Sequence, residues 1–199
     1  MDVESVPLLS TAKRVACSCL PCGKTTVGSF RIRIGPKFAE GGFSSVYRCT
    51  DDESGEKYAL KMMIASESEQ IDHIHAEIRI HQQFQHPNLL RLLDFSETQE
   101  NGKTIFRLLF PMYGGGSVGD VIARMRGVGK IFSEERALRI FSEVLRAVNV
   151  MHSAKPAIAH HDIKPENVLL SEDNHVVLMD FGSACKVSRV HRVQTLTLS

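Results

Sequence analysis

Two short apolar runs enclose a polar loop within residues 158–170, and this stretch constrains the fold more than any other part of the chain. The loop carries the carboxylate Asp162, with a Lys two residues later and Asn167 five residues later. A further apolar run ends at Asp180. If the last two runs pair as strands across the polar turn 171–174, these three side chains lie close together. Phosphoryl transfer needs such a group, because one carboxylate orients the attacking hydroxyl while an Asp and an amide hold Mg²⁺.

Length and charge set broad limits on what the chain can be. Its 199 residues are enough for one or two small domains with a buried core. The 24 basic and 23 acidic residues nearly balance, so charge gives no argument for a nucleic-acid partner. No apolar run reaches the roughly 18–20 residues that span a bilayer, and the N-terminus lacks the apolar core of a secretory signal. We therefore expect a cytoplasmic protein.

Residues 1–27 show no hydrophobic period, and we interpret them as a flexible tail that contains three of the five cysteines. An odd number of cysteines does not suggest a disulfide framework. The pattern Cys17-Ser-Cys19-Leu-Pro-Cys22 lacks a fourth ligand at a usual zinc spacing. Reversible S-acylation of Cys17 and Cys19 is the better functional interpretation. Unmodified surface thiols are an equal alternative.

A Gly-rich turn lies between two strand-like runs near residue 41. Gly41 and Gly42 lack a Cβ, so the backbone at this turn can approach phosphate groups closely. Fifteen residues after Val46, across an acidic turn, the run 58–61 ends in Lys61. The turn alone is a weak indication of a phosphate site. It gains weight from the run 58–61, which resembles a strand motif of a known protein family.

The next segment, from about 67 to 84, has the period of a helix, with Ile74, Ile78 and His81 on one face. We expect His81 to be packed rather than to bind a metal, because it lies on the apolar face. Residues 89–95 and 105–110 are predicted to be strands.

Residues 114–119 match the dinucleotide fingerprint G-x-G-x-x-G, which raises a Rossmann enzyme as an alternative. That fold requires a second strand about twenty residues later, with an acid at its end. The chain there is predicted to be helical instead, from Glu134 to His152, so the sequence does not favour a dinucleotide enzyme. Ser133 is the expected N-cap of this helix.

Taken together, the motifs from about residue 30 to 199 resemble the N-terminal two-thirds of a protein-kinase domain. Lys164, two residues after Asp162, fits the Ser/Thr class. The runs E-G-G-F-S and V-L-M-D-F-G-S-A are similar to the numb-associated kinase family, and most of all to its small acylated, Golgi-associated member. The resemblance therefore implies a peripheral association with Golgi or endosomal membranes through acylated Cys17 and Cys19.

The resemblance also implies the architecture, which is α+β with a two-lobed kinase fold. Residues 28–112 would form the N-lobe, an antiparallel sheet with one helix. Residues 113–199 would form an incomplete helical C-lobe that ends within the activation loop, as in an N-terminal fragment or an incomplete gene model. A catalytically inactive nucleotide-binding or scaffolding module is the alternative function.

The family resemblance assigns a role to each candidate site residue, with ATP, Mg²⁺ and a protein Ser/Thr hydroxyl as partners. Asp162 would orient the hydroxyl and Lys164 would steady the γ-phosphate, while Lys61 paired with Glu77 would position the α- and β-phosphates. Mg²⁺ would be held by Asn167 and Asp180. The nucleotide pocket would comprise Ala39, Gly41, Gly42, Ser44, Val46, Ala59, Lys61, Phe110, Pro111, Tyr113 and Leu169.

One departure from the family pattern concerns regulation. His161 occupies the position of an Arg that grips phosphate on the activation loop in many kinases. A His holds phosphate less well than the fixed bidentate fork of Arg. The sequence therefore predicts an activity that depends little on activation-loop phosphorylation.

Overall fold

The structure is a computed structural model that describes residues 23–42 and 44–187. Its N-terminal part is a six-stranded antiparallel sheet with the strand order β1-β2-β3-β4-β6-β5. The strands are β1 (Lys24–Val27), β2 (Phe30–Glu40), β3 (Ser44–Asp51), β4 (Lys57–Ala65), β5 (Asp94–Glu100) and β6 (Lys103–Pro111).

Helix α1 (Ser68–Gln83) covers one face of this sheet. It begins at a capping box, in which Glu67 and Gln70 satisfy backbone N–H groups that the first turn leaves without partners. Ile74 and Ile78 are buried against the same cluster as Phe106 of β6. The expected packing of His81 is confirmed, since the residue is 2 % exposed.

The C-terminal part consists of two helices and two small sheets around a second core. Ser117 and Ser133 cap the two helices by accepting hydrogen bonds from Asp120 N and Arg136 N. The elements are α2 (Val118–Gly127), α3 (Glu134–Ser153), β7 (Ile158–Ala159), β8 (Val168–Leu170), β9 (Val176–Leu178) and β10 (Cys185–Lys186). β8 pairs with β9 and β10 pairs with β7, both antiparallel. The expected α+β class is thus confirmed.

Two boundaries expected from the sequence are wrong. Residues 24–27 belong to strand β1 and not to a tail, because Gly28 turns the chain at φ +54° and Val27 is fully buried. Four residues with a single apolar anchor are too short to show a period. The strand expected at 89–95 begins only at Asp94, since Leu89 and Leu90 instead contact β9 through backbone hydrogen bonds around Leu178.

Helix α3 has an apolar face that is only partly covered. Ala147 and Met151 are buried in the C-terminal core, with Val144 and Val148 packed against it. Leu138, Phe141 and Leu145 are 59 %, 60 % and 50 % exposed. None of the described helices is both long and apolar enough to cross a membrane.

Candidate active site

The ammonium of Lys61 on β4 lies between two carboxylates at the junction of the two parts. Its Nζ donates to Glu77 Oε1 of α1 at 2.7 Å and is 3.6 Å from Asp180 Oδ1. The Glu77 side chain is only 4 % exposed. The structure therefore joins the sheet, α1 and the segment after β9 at one cation, and the Lys61–Glu77 pairing that the family resemblance implied is present.

Charge in this cluster is set by burial and by ion pairing. Burial disfavours the charged form of Lys61, but the carboxylates of Glu77 and Asp180 outweigh it and leave the pKa of Lys61 above its ordinary value. Burial has the opposite outcome at His81, where it lowers the pKa to about 4. At neutral pH, Lys61 is thus an ammonium and His81 a neutral imidazole.

The loop after β7 holds Asp162 in a defined orientation. Lys164 Nζ donates to both oxygens of Asp162 at 2.8 and 3.0 Å, and Asn167 Nδ2 donates to Oδ2 at 2.8 Å. The pKa of Asp162 lies below its usual range, mainly because of the hydrogen bond from Lys164. Asp162 is therefore an ionised carboxylate suited to accept a hydrogen bond from a substrate hydroxyl.

Strands β8 and β9 form the hairpin that the sequence predicted, and it brings Asn167 and Asp180 to the same end. Val168 is the partner of Leu178 in the register, and Met179 N donates to Asn167 O at 2.9 Å. Asp180 has a φ of 66°, a left-handed conformation that is uncommon for a non-glycine residue. His160 Nε2 lies 3.1 Å from Met179 O and so links the end of the hairpin to the loop that carries Asp162, which we call the catalytic loop.

The Gly-rich turn joins β2 to β3 above this cluster. Ala39 pairs with Val46, and Val46 pairs with Lys61, so the turn and the cation share one face of the sheet. The turn is closed by the Gly41 N–H, which donates to Ser44 O at 2.8 Å. An added Cβ at Gly42 would meet no heavy atom within 4 Å, so the backbone there is open to a ligand.

The remaining residues expected at the nucleotide pocket converge from β4, β6 and β8. Ala59 pairs with Phe110, and Tyr58 pairs with Pro111. Ala59, Tyr113 and Leu169 are partly buried and pack against the hydrophobic cluster that contains Ile78 and Phe106. The structure thus places the described candidate residues on neighbouring strands, turns and loops around Lys61, while their roles toward ATP stay predictions.

Comparison with known proteins decides the family. The model of the protein kinase domain matches residues 32–199. The chain belongs to the protein kinase family. Among curated relatives, it is 37 % identical to a probable serine/threonine-protein kinase of Dictyostelium discoideum over 76 % of this chain and 43 % of the relative. Serine/threonine-protein kinase 16 of Mus musculus is 32 % identical over 81 % of this chain and 52 % of its own length. The chain thus spans about half the length of these relatives.

Within this kinase, the glycines of residues 114–119 have a structural purpose unrelated to dinucleotides. Strand β6 lies antiparallel between β4 and β5, so no parallel β-α-β unit surrounds them. Gly115 N donates to Leu170 O at 3.1 Å, and a Cβ at Gly115 would lie 2.5 Å from that oxygen. The missing side chain allows the segment after β6 to approach β8, which carries the end of the catalytic loop.

Two contacts near the kinase site were not found by sequence reasoning. The Phe38 ring lies 5.6 Å from the guanidinium of Arg48, which pairs with Ala59 on the nucleotide side of the sheet. Cys185 Sγ lies 3.3 Å from His161 Nε2. The aromatic residue directly before Ala39 was a usable signal for the first contact. Nothing in the spacing indicated the second, because it depends on β10 pairing with β7.

Proposed function

We propose that this chain is an ATP- and Mg²⁺-dependent serine/threonine kinase module that transfers the γ-phosphate of ATP to a protein hydroxyl. The observation that carries the proposal is the closed cluster of Lys61, Glu77 and Asp180, with the Lys61 ammonium 2.7 Å from Glu77. An ammonium held by a buried carboxylate is fixed in place to neutralise phosphate oxygens, and electrostatic stabilisation of this kind dominates phosphoryl transfer.

Each group then has a distinct role. The substrate hydroxyl donates a hydrogen bond to Asp162, and its oxygen attacks the γ-phosphorus while its proton passes to the Asp162 carboxylate. The bond from the γ-phosphorus to the bridging oxygen breaks, so that ADP leaves with the electron pair. Lys164 contacts Asp162 at 2.8 Å, and from there it would stabilise the charge of the γ-phosphate. Lys61 binds the α- and β-phosphate oxygens. The Asn167 amide keeps Asp162 in one orientation through its hydrogen bond to Oδ2.

The donor set of the site fits Mg²⁺, which prefers oxygen ligands and binds proteins through one or two side chains plus substrate phosphates. The side-chain oxygens of Asn167 and Asp180 would hold the ion, and the hairpin brings these two residues to the same end. When bound, Mg²⁺ would supply positive charge to the phosphate oxygens. Among the described residues, no group of three or more His, Cys, Asp and Glu offers a competing metal site.

A phosphotransfer assay on the 199-residue chain tests the proposal. ATP labelled at the γ-position, MgCl₂ and a mixture of Ser/Thr peptides should give labelled peptide. Asp162→Asn should reduce the rate at least about 100-fold while leaving ATP affinity within a few-fold, because Asp162 acts on the hydroxyl and not on the nucleotide. Calorimetric titration with a non-hydrolysable ATP analogue measures that affinity. Tight nucleotide binding without any transfer would favour the inactive nucleotide-binding module instead.

We further propose that the chain is a member of the numb-associated group of kinases and is cytoplasmic, with peripheral attachment to Golgi or endosomal membranes. The E-G-G-F-S turn and the V-L-M-D-F-G-S-A run support the grouping. Attachment would come from acylation of Cys17 and Cys19, which lie outside the described residues. Two acyl chains give stable anchoring whereas one gives only marginal residence.

Metabolic labelling with a palmitate analogue tests the attachment. Hydroxylamine-sensitive label should be present on the wild type and absent from the Cys17→Ser/Cys19→Ser variant. The same variant should move from the membrane fraction to the soluble fraction. A wild type that is entirely soluble or carries no label would refute the attachment but leave the kinase assignment untouched.

A further inference from the structure

The turn between α2 and α3 presents apolar side chains directly to solvent. We call residues 124–132 the α2–α3 corner. Within it, Val128 is 68 % exposed and Ile131 is 87 % exposed. Single exposed apolar residues are ordinary on protein surfaces. Two highly exposed β-branched residues within four positions, at the tip of a turn, need a further explanation.

The same corner is positively charged. Arg124, Arg126 and Lys130 are all exposed, and none forms an ion pair with another described residue. The chain from 121 to 133 contains no Asp or Glu. The nearest acid before it, Asp120, is engaged in the cap of α2. Arg124 donates to Gly115 O at 3.3 Å and helps to lower the pKa of Asp120, and Glu134 and Glu135 follow the corner closely. Within the described residues, Arg126 and Lys130 are therefore the two cations of the corner whose side chains have no hydrogen-bond or ion-pair partner, and they lie beside the protruding apolar tips.

The turn is fixed in shape before any partner arrives. Lys130 N donates to Met125 O at 2.8 Å, and Gly129 N donates to Arg126 O at 3.1 Å, with Gly129 at φ +65°. These two bonds form the Schellman motif that ends many helices. A Cβ built at Gly127 or Gly129 would have no neighbour within 4 Å. The backbone thus holds the apolar tips out from the body of the kinase at little further entropic cost.

We propose that the α2–α3 corner docks on an anionic phospholipid bilayer. Interfacial binding segments combine apolar side chains that enter the acyl boundary with Lys and Arg that face anionic headgroups. A protein partner is the less suitable occupant, because the corner presents a protruding tip, with Val128 68 % and Ile131 87 % exposed, instead of a surface into which a partner side chain could pack. The corner is a different segment of the sequence from Cys17 and Cys19, so the proposal does not depend on acylation.

The position of the corner leaves the catalytic cleft accessible. The first turn of α2 lies against the catalytic loop, where a Cβ on Gly119 would lie 3.2 Å from Glu166. The helix has ten residues, so its C-terminal end lies about 15 Å further along at 1.5 Å per residue. A membrane at the corner would therefore not cover the nucleotide site.

Sedimentation with lipid vesicles tests the proposal on the full 199-residue chain made in bacteria, where the cysteines are not acylated. The vesicles are phosphatidylcholine alone, or phosphatidylcholine with about 30 % phosphatidylserine. Binding should require phosphatidylserine and fall steeply between low and high salt, since headgroup attraction is screened. Arg126→Gln/Lys130→Gln should weaken binding by about 25-fold, at about fivefold for each cation near the surface. Val128→Ser/Ile131→Ser should weaken it at least tenfold.

Two control variants make comparable changes on the N-terminal sheet, outside the α2–α3 corner. Lys57→Gln/Lys103→Gln removes the same charge from the exposed rim of the N-terminal sheet, and Ile64→Ser removes an apolar side chain that is 41 % exposed. Both controls should bind vesicles within about twofold of the wild type, and melting curves should show all variants folded. Equal losses in controls and corner variants, equal binding to neutral vesicles, or no vesicle binding by the wild type would each overturn the proposal.

Discussion

Replacing Lys61 with Met should destabilise the fold as well as remove activity. In the wild type, the buried Glu77 carboxylate has one cation at 2.7 Å. The nearest other basic group is His81 Nε2 at 3.9 Å, which is neutral at pH 7.5 because its pKa is about 4. Lys61→Met therefore leaves a charge that is 4 % exposed with no cation in contact.

The size of the effect follows from that burial. Breaking a buried ion pair by removing one partner costs about 3–5 kcal/mol, and the 18 % exposure of the Lys61 side chain places this case at the lower end. At about 2–4 °C per kcal/mol for a chain of this size, the melting temperature should fall by about 6–12 °C. Turnover should also fall at least about 100-fold, because the phosphates lose their cation.

The double variant Lys61→Met/Glu77→Gln separates the two effects. It removes the orphaned charge, so most of the lost melting temperature should return while turnover stays low. Thermal unfolding at pH 7.5 and the phosphotransfer assay measure the two quantities on the same three proteins. A Lys61→Met variant that melts within about 2 °C of the wild type would refute the buried-charge argument, and recovery of turnover in the double variant would refute the role of Lys61.

The other predictions concern a glycine, a buried histidine and the regulatory position. Gly115→Ala should destabilise the fold by at least about 1–3 kcal/mol, because its Cβ would collide with a backbone oxygen at 2.5 Å, whereas Gly127→Ala in open space should be neutral or stabilise by up to about 1 kcal/mol in chemical denaturation. Burial lowers the pKa of His81 from 6.5 to about 4, so below pH 6.5 the unfolded chain binds a proton that the folded chain does not. The free energy of unfolding should therefore be highest above pH 6.5 and fall by about 3 kcal/mol as the pH decreases toward 4. His81→Leu should flatten the unfolding free energy across that pH window, and an unchanged slope would contradict the assignment. With His161 at the usual Arg position, phosphatase treatment should reduce activity by less than about tenfold, and a larger loss would show that an activation-loop phosphate is needed.

The sequence predicted the catalytic hairpin well, because short apolar runs around a polar turn admit few pairings. The Lys61–Glu77 contact was predicted from the family resemblance and is present in the structure at 2.7 Å. The two boundaries that were predicted wrongly, those of the tail and of the strand at 89–95, share one physical cause. Strand β1 pairs with the adjacent strand β2 across the turn at Gly28 and Ser29. The Ser29 N–H in that turn donates to the distant Asp94 at 2.9 Å, a contact that no local pattern reveals.

The sequence also did not predict the unusual backbone conformations of two residues beside the site. The left-handed conformations of His161 and Asp180 are adopted by non-glycine residues, so no glycine marks them. Both residues lie where the chain turns sharply beside the active site. Surrounding contacts and not intrinsic preference hold such residues in place. The arrangement of the site thus depends on tertiary packing that the motif letters do not encode.

On the proposed function, Phe110 would form the rear wall of the nucleotide site, and that wall would determine which small molecules could serve as inhibitors. The Phe110 ring is 5 % exposed, and its centroid lies 5.0 Å from that of the His81 ring. Compounds that extend an aromatic group past the adenine position would collide with this pair. Pro111 has no backbone N–H and offers a compound only its carbonyl. A compound that needs a backbone N–H donor would have to find it at a later residue of this segment. Phe110→Gly would open the wall, and we expect that variant alone to accept purine analogues with bulky substituents. A single side chain thus offers a way to inhibit this kinase selectively among its relatives.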